Sequence, residues 1–408
     1  MPPALTHGDT DAFEGLSVLD EISGQLGLVL WQSLRDAMLW GRAGKAERDA
    51  LFTPGADQSR VADVLAANAP EDLEEPLKTM AAMLGAPSTM REENVALACR
   101  QVAQWAEAKG LLAAALSFAQ AAAVVNPADP TMAYAVARLA RRRREYPRSE
   151  TWFRRTIALA RQAGDWPTYA LAFDGLGNLY VARGNFPVAK RFFERALKAA
   201  QRNSLHDIAG MALHDLFGVA VETNQPREAH EYARAAFQEY GPHHPQLPRL
   251  AHDVAYFWTT LGYFERALSV FKSLMDHVDD PALRLALMGD MGRAAGGVGD
   301  RETFQMAWDE VGEITRQTPG LDTEARAFLD LAYGALSLGA WDRAIDAGQR
   351  ALELARAKGE AKTTFQAEAV LDAGRRHQRA ELHRAAEHEE WSAEADSLAT
   401  EFVHSLTS

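Results

Sequence analysis

One stretch near the middle of the chain decides the fold, and it reads Phe173-x-x-Leu176-Gly177-x-x-Tyr180-x-x-x-Gly184-x-x-x-x-Ala189-x-x-x-Phe193-x-x-Ala196. The spacing predicts one helix, a turn at Gly184-Asn185, and a second helix with Ala, Phe and Ala on one face. The glycine and the alanines stand where two antiparallel helices must approach closely. The large side chains Phe173, Tyr180 and Phe193 fill the space between them. The stretch therefore predicts a helical hairpin.

The same phase recurs along the chain when the small residue of the second helix serves as the marker. The marker positions are Ala115, Ser149, Ala189, Ala229, Ala267, Phe304 and Ala344, at intervals of 34, 40, 40, 38, 37 and 40 residues. Two units depart from the pattern, because Ser149 has no Leu-Gly pair upstream and Phe304 replaces a small residue. A helical bundle with accidental spacing would not keep this register through seven units, so the sequence predicts repeated hairpins.

These hairpins resemble the tetratricopeptide repeat, whose standard period is 34 residues. The resemblance covers residues 94–359, about two-thirds of the chain. It implies an all-α fold, a right-handed α-α superhelix in which stacked hairpins form a continuous core, because one repeat alone cannot bury its apolar face. It also implies that a protein or peptide partner binds in the concave groove.

The composition is that of an ordinary globular protein, with 408 residues, 47% hydrophobic and 24% charged, and a net charge of −13. A single cysteine, Cys99, excludes a disulfide framework and a thiolate zinc cluster. No apolar run reaches the roughly 18 residues of a membrane helix, and no secretion signal is visible. We therefore expect a cytoplasmic protein without membrane contact, and the acidic balance argues against nucleic-acid binding.

Both ends of the chain fall outside the repeat. Residues 1–12 are predicted to be flexible, and residues 13–90 to form an N-terminal helical module. Residues 1–95 hold 16 acidic and 7 basic side chains, which disfavours a DNA-binding helix-turn-helix and favours a cap or docking module. Residues 360–408 are predicted to form C-terminal capping helices, since an open row of repeats needs a polar end.

The resemblance projects the family's groove positions onto the first helix of each repeat. Toward the N-terminal end the groove is expected to be basic, because residues 131–163 contain nine Arg and two acidic residues. Further along, an Asp recurs together with His and aromatic residues. The predicted groove residues are Tyr134, Arg138, Arg141, Arg142, Asp174, Asn178, His214, Asp215, His252, Asp253, Tyr256, Asp290, Arg293, Asp330 and Tyr333.

Such a surface would hold an extended or helical peptide of complementary charge, with Arg forks pairing carboxylates. Two alternatives stay open: the Asp row is structural and bonds to neighbouring repeats, and the Arg cluster is a solvated helix face. The family's chaperone adaptors use a clamp of Lys, Asn, Asn, Lys and Arg. Only Asn178 matches that clamp here, so a chaperone partner is not predicted.

Enzyme signatures are thin, and we predict no catalytic residue, no cofactor and no metal. His383 and His388 do not form the H-E-x-x-H motif, and His243-His244 is a linker between repeats. His214 and His252 would make a His/Asp site only between repeats. The predicted function is a protein- or peptide-binding scaffold or adaptor. The alternative is a signal-responsive regulator whose groove binds a peptide or small ligand and controls the N-terminal module; its superhelical pitch would change on binding.

Overall fold

The computed structural model describes residues 16–379 and 389–408. Within these residues the chain forms twenty α-helices, two short 3-10 turns and no strand, so the all-α prediction is confirmed. Ala, Leu and Arg dominate the sequence and favour helix throughout. In the same described residues no helix is long and apolar enough to cross a membrane. The predicted flexible segment 1–12, together with His383 and His388, lies outside the described residues.

The chain divides into two compact units, Met1–Val219 and Ala220–Ser408, which are called unit 1 and unit 2. The helices that precede the repeats belong to unit 1. They are α1 (Leu16–Glu21), α2 (Gly24–Arg42), α3 (Ala56–Ala66) and α4 (Glu71–Gly85).

The repeat region follows as seven successive helix pairs in the described chain. In order they are α5 (Glu92–Ala108), α6 (Leu112–Val125), α7 (Pro130–Arg142), α8 (Tyr146–Ala163), α9 (Trp166–Ala182), α10 (Phe186–Arg202), α11 (His206–Glu222), α12 (Pro226–Tyr240), α13 (Leu247–Thr260), α14 (Phe264–Leu274), α15 (Pro281–Val298), α16 (Arg301–Gln317), α17 (Glu324–Leu338) and α18 (Trp341–Lys358). Two helices close the described chain, α19 (Ala361–Arg375) and α20 (Glu389–Thr407).

The predicted register agrees with the structure. Each marker residue is the fourth residue of the second helix of its pair, and none of the seven is more than 2% exposed. The turn before the marker needs a positive φ at Gly184 (70°) and at Gly299 (91°), a conformation that glycine adopts without strain. Even Phe304, the large exception, is buried at this position. The predicted register of repeated helical hairpins is therefore confirmed.

Local sequence explains where many of these helices begin. An Asp or Asn side chain often accepts a hydrogen bond from a backbone N–H of the first turn, and a Pro frequently follows at the first helical position. The capping side chains of this kind are Asp129, Asp165, Asn185, Asp280 and Asp300.

The N-terminal helices share one hydrophobic core with the first hairpins of unit 1. Val18, Leu30 and Trp40 belong to the same buried cluster as Phe118 and Phe153. The Glu21 carboxylate accepts hydrogen bonds from the backbone N–H groups of residues 113 and 114, at 2.9 and 2.8 Å. This carboxylate satisfies orphan donors at the start of α6. The N-terminal helices are thus packed onto the first repeat.

In unit 2, glycines bring α15 and α17 into unusually close contact. A Cβ atom at Gly296 would lie 2.3 Å from the carbonyl oxygen of Gly334, and one at Gly289 would lie 2.7 Å from the Cα of Ala327. A Cβ at Gly292 would lie 2.5 Å from the Leu331 side chain. The glycines of α15 therefore form a packing surface against α17.

Replacing Gly296 by Ala is expected to destabilise unit 2 by about 2–3 kcal/mol, because the new methyl group meets backbone that cannot rotate away. The matched control is Gly312→Ala on α16, where a Cβ meets nothing within 4 Å. That change should be neutral or stabilise by up to about 1 kcal/mol through helix propensity. Urea unfolding of both variants measures the difference. Equal midpoints for the two variants would contradict the close approach.

The two C-terminal helices do different things. α19 lies beside α17 and α18, as a capping helix would, whereas α20 lies against α14 and α12. Phe402 of α20 is fully buried, with its ring 5.3 Å from Phe237, and Arg266 of α14 pairs with Asp396 at 2.6 Å. Apolar burial and this ion pair hold α20 on an earlier hairpin. The capping role assigned to residues 360–408 stays a prediction.

Candidate functional site

Three neighbouring first helices of unit 2 bring seven of the predicted groove residues together. The helices α13, α15 and α17 lie side by side, so that side chains one repeat apart meet across each helix pair. We call this group, together with Arg326, the unit 2 cluster. It comprises His252, Asp253, Tyr256, Asp290, Arg293, Arg326, Asp330 and Tyr333.

Charged side chains alternate across the three helices of the cluster. His252 Nε2 lies 3.1 Å from Asp290 Oδ2, and Arg293 Nη1 donates a hydrogen bond to Asp330 Oδ1 at 2.9 Å. Burial alone would lower the pKa of His252, but the carboxylates of Asp253 and Asp290 outweigh it and raise that pKa to about 9. Burial, reinforced by the charge of Asp290, raises the pKa of Asp330 to about 6.

Asp290 stands out because its carboxylate is 1% exposed and accepts no hydrogen bond from the described residues. The contact with His252 has the distance of an ion pair but lacks hydrogen-bond alignment. Buried carboxylate oxygens normally accept hydrogen bonds. Because the Asp290 carboxylate accepts none from the described residues, the cost of burying its charge is offset by the positive charges around it.

Arg326 covers the two buried carboxylates. Its guanidinium lies 4.1 Å from the ring centroid of Tyr256, 3.8 Å from Asp290 Oδ1 and 3.6 Å from Asp330 Oδ2. It forms no hydrogen bond with the described residues, and its side chain is 48% exposed. Sequence reasoning missed Arg326. The available signal was its place four residues before Asp330, on the same face of α17.

Burial corrects part of the predicted groove lining. Asp174, Asp290 and Asp330 are 5%, 1% and 2% exposed, so these carboxylates are not displayed to a partner. Asp174 accepts a hydrogen bond from Asn178 and Asp330 accepts one from Arg293, whereas Asp290 lies 3.1 Å from His252. For these three residues, burial favours the structural alternative for the Asp row.

A second polar group lies in unit 1, between α9 and the unit 1 part of α11. The Asn178 amide donates to Asp174 Oδ2 at 3.1 Å and to Asp215 Oδ2 at 3.0 Å, so one side chain joins two carboxylates. Burial and then the charge of Asp215 raise the pKa of Asp174 well above its ordinary value. Tyr134 packs its ring edgewise against Phe153, 6.0 Å away.

The basic residues of α7 are partly neutralised by a residue that the sequence interpretation missed. Arg138 and Arg142 both donate to the carboxylate of Glu107 on α5. Burial alone would raise the pKa of Glu107, but the two guanidinium groups outweigh it and lower that pKa. One carboxylate thus serves two Arg.

The other singled-out residues have local roles. His244 stacks on Tyr240 at 4.4 Å between ring centroids. Cys99 is buried, and burial raises the pKa of its thiol to about 12. Among the described residues no group of three or more His, Cys, Asp or Glu is arranged to hold a metal ion. His214 lies in unit 1 and His252 in unit 2.

Comparison with known proteins identifies the repeat. The family model described as "Tetratricopeptide repeat" matches residues 129–202. Among solved structures, a signal transduction ATPase with a tetratricopeptide repeat sensor, from Pyrococcus horikoshii, is 12% identical with a TM-score of 0.51. The match covers 96% of this chain and 64% of that one, and it shows the fold alone.

Two further structures are similar over most of their own length. BtubC from P. vanneervenii is 17% identical with a TM-score of 0.42, covering 56% of this chain and 92% of that one. The Rap conjugation gene regulator of the plasmid pLS20, in complex with the Phr* peptide, is 12% identical with a TM-score of 0.40, covering 85% and 96%. No curated protein matches the chain.

Proposed function

We propose that this tetratricopeptide repeat protein works by binding a protein or peptide segment, with the unit 2 cluster at the centre of the contact surface. The observation that carries the proposal is Arg326, a half-exposed guanidinium held on the ring of Tyr256 without a hydrogen bond to any described residue. Arg and Tyr are the residue types most enriched at the energetic centres of interfaces.

The buried carboxylates explain why Arg326 is suited to this role. Asp290 and Asp330 attract the guanidinium from below, and the Tyr256 ring fixes its plane. A side chain held in this way loses little conformational entropy when it binds. Its N–H groups remain available on the exposed side, where an acidic side chain could pair with them through two parallel hydrogen bonds. We therefore infer that the partner carries an acidic group.

We also propose that binding is not accompanied by catalysis. The pKa of about 9 keeps His252 protonated at neutral pH, so this imidazole is not a general base there. The thiol of Cys99 is buried with a pKa of about 12 and is no nucleophile. The unit 2 cluster can orient and neutralise charged groups, which is the chemistry of recognition.

Replacing Arg326 by Gln is expected to weaken the affinity for peptides about tenfold, because a bidentate charge-assisted pair is lost. Peptides selected on the purified wild-type protein from a random displayed library provide the ligands, and fluorescence anisotropy measures their dissociation constants. The control is Arg227→Gln on α12, whose exposed side chain pairs only with the neighbouring Glu231 among described residues. Selected peptides that bind both variants equally, or a library that yields no binder, would contradict the proposal.

A further inference from the structure

A cavity of about 420 Å³ lies in unit 2 beside the cluster. It is bounded by the ends of α13 and the start of α14, by α15 and α17, and by α19 with the two residues Gln378 and Arg379 that follow it. Arg293 and Tyr333 belong both to its wall and to the unit 2 cluster. The cavity therefore adjoins the proposed contact surface.

The polar wall of this cavity offers donors and positive charge. Two positively charged residues, Arg293 and Arg379, line it together with Gln378 and Tyr333. No Asp or Glu is among its lining residues. Arg293 uses Nη1 on Asp330, and its other N–H groups form no hydrogen bond with the described residues. The cavity is thus arranged for an anionic group.

Thr259, Thr260 and Ser337 also line the cavity, but their hydroxyls donate to the backbone carbonyls of Ala255, Phe257 and Tyr333. The rest of the wall is apolar. Phe264, Leu336 and Val370 line it with Ala369 and Ala373. A fully hydrated anion such as phosphate gains nothing from such a surface, whereas an apolar group bearing a carboxylate matches both halves. Ligand sites span about 300–1,000 Å³, so this cavity suits a group of one or two residues in size.

We propose that this cavity binds a carboxylate attached to a small apolar group, with Arg293 and Arg379 pairing the carboxylate and the apolar wall covering the rest. The ligand is either a free small acid or the last residue of a chain with its terminal carboxylate. The inference rests on the proposed function in that the cavity adjoins the same surface. It adds a second anchor that does not use Arg326.

The experiment compares N-acetyl-leucine with N-acetyl-leucinamide, which has the same shape without the charge. Isothermal titration calorimetry on the full chain uses concentrations up to about 10 mM, because a fragment of this size binds in the millimolar range. An acetylated tetrapeptide ending in leucine, with a free or an amidated end, forms the second arm. In each arm we expect the acid to bind about tenfold more tightly than the amide.

Two variants test whether the acid binds in the cavity. Arg379→Gln removes one charge, and Ala369→Leu fills the space from an exposed helical position; each is expected to weaken the acid about tenfold or more. The control is Arg375→Gln, an exposed Arg at the end of α19 that does not line the cavity. Both positions are exposed and neither variant changes the pairing of Arg293 with Asp330, so we expect both variants to fold.

Each result of this experiment either supports or overturns the proposed carboxylate site. Binding of the free small acid with the expected variant effects supports the proposal and identifies a small-molecule ligand. Binding of the free-ended peptide alone supports it and identifies a chain terminus. Equal binding of acid and amide, absence of binding in both arms, or insensitivity to both variants overturns it. Because Arg326→Gln leaves this cavity intact, failure of the cavity and failure of the contact surface are told apart.

Discussion

Replacing Phe193 by Asp is expected to unfold the central repeats of unit 1. Phe193 is 1% exposed on α10, and its ring packs so closely on α9 that a Cβ at Gly177 would lie 2.4 Å from it. Losing a buried aromatic ring costs about 3–5 kcal/mol, and burying an unpaired carboxylate adds several more. Domains have about 5–15 kcal/mol of stability, so the variant is left with little or none.

Circular dichroism melting provides the measurement for Phe193→Asp, with the control Phe365→Asp on α19. Phe365 is 74% exposed, so the same substitution there should leave the melting curve unchanged. Repeats gain stability from their neighbours, and the loss is therefore expected to extend to the hairpins on either side of α10. An unaltered melting temperature in Phe193→Asp would contradict the assigned repeat register.

The second large effect is a loss of stability in unit 2 as the pH rises from about 6.5 to 9. His252 has a raised pKa of about 9 in the folded protein, against the ordinary value of 6.5. A histidine with a raised pKa contributes its full stability below pH 6.5 and loses it as the pH approaches 9. The difference corresponds to about 3 kcal/mol, and the side chain is 26% exposed.

Urea unfolding at pH 6.5 and pH 9 measures this dependence, with His252→Gln as the test variant. The variant should flatten the profile in this pH range, because glutamine donates to carboxylates without titrating. Asp330 does not interfere, because its pKa is raised from 3.8 to about 6. The stability that this shift contributes is lost as the pH rises from about 4 to 6, which is below the measured range. The control His404→Gln, at an exposed position on α20, should keep the wild-type slope. If the free energy of unfolding of His252→Gln fell between pH 6.5 and pH 9 as much as that of the wild type, the ion pair with Asp290 would be refuted.

Much of the fold could be predicted from sequence because hairpin packing is local. Small residues at Ala115 and Ala344 mark where two helices of one hairpin touch, and this contact repeats at a nearly constant interval. The position of α20 could not be predicted in this way. Its contacts with α12 and α14 join residues more than a hundred positions apart, as Arg266 with Asp396 shows, and no periodicity encodes them.

The sequence predicts which positions belong to the candidate site, but it does not predict which of their side chains are exposed. Helical spacing and the family pattern place Asp290, Arg293 and Asp330 on one side of the repeats. Their depth depends on how close α15 and α17 come, and this approach is set by Gly289, Gly292 and Gly296, two of which directly precede Asp290 and Arg293. Glu107, which pairs with Arg138, was missed because an isolated Glu on a helix carries no sequence signal for an ion pair across repeats.

The glycine contacts of α15 and α17 limit how freely this protein can be re-engineered as a modular array. Consensus units are normally interchangeable because every junction has a similar gap that ordinary side chains fill. Here the junction between α15 and α17 has no space for a Cβ atom at Gly289 or Gly296, so a unit transplanted into it from elsewhere in the chain would bring side chains for which there is no room. Shuffling should therefore keep residues 281–338 together as a single cassette.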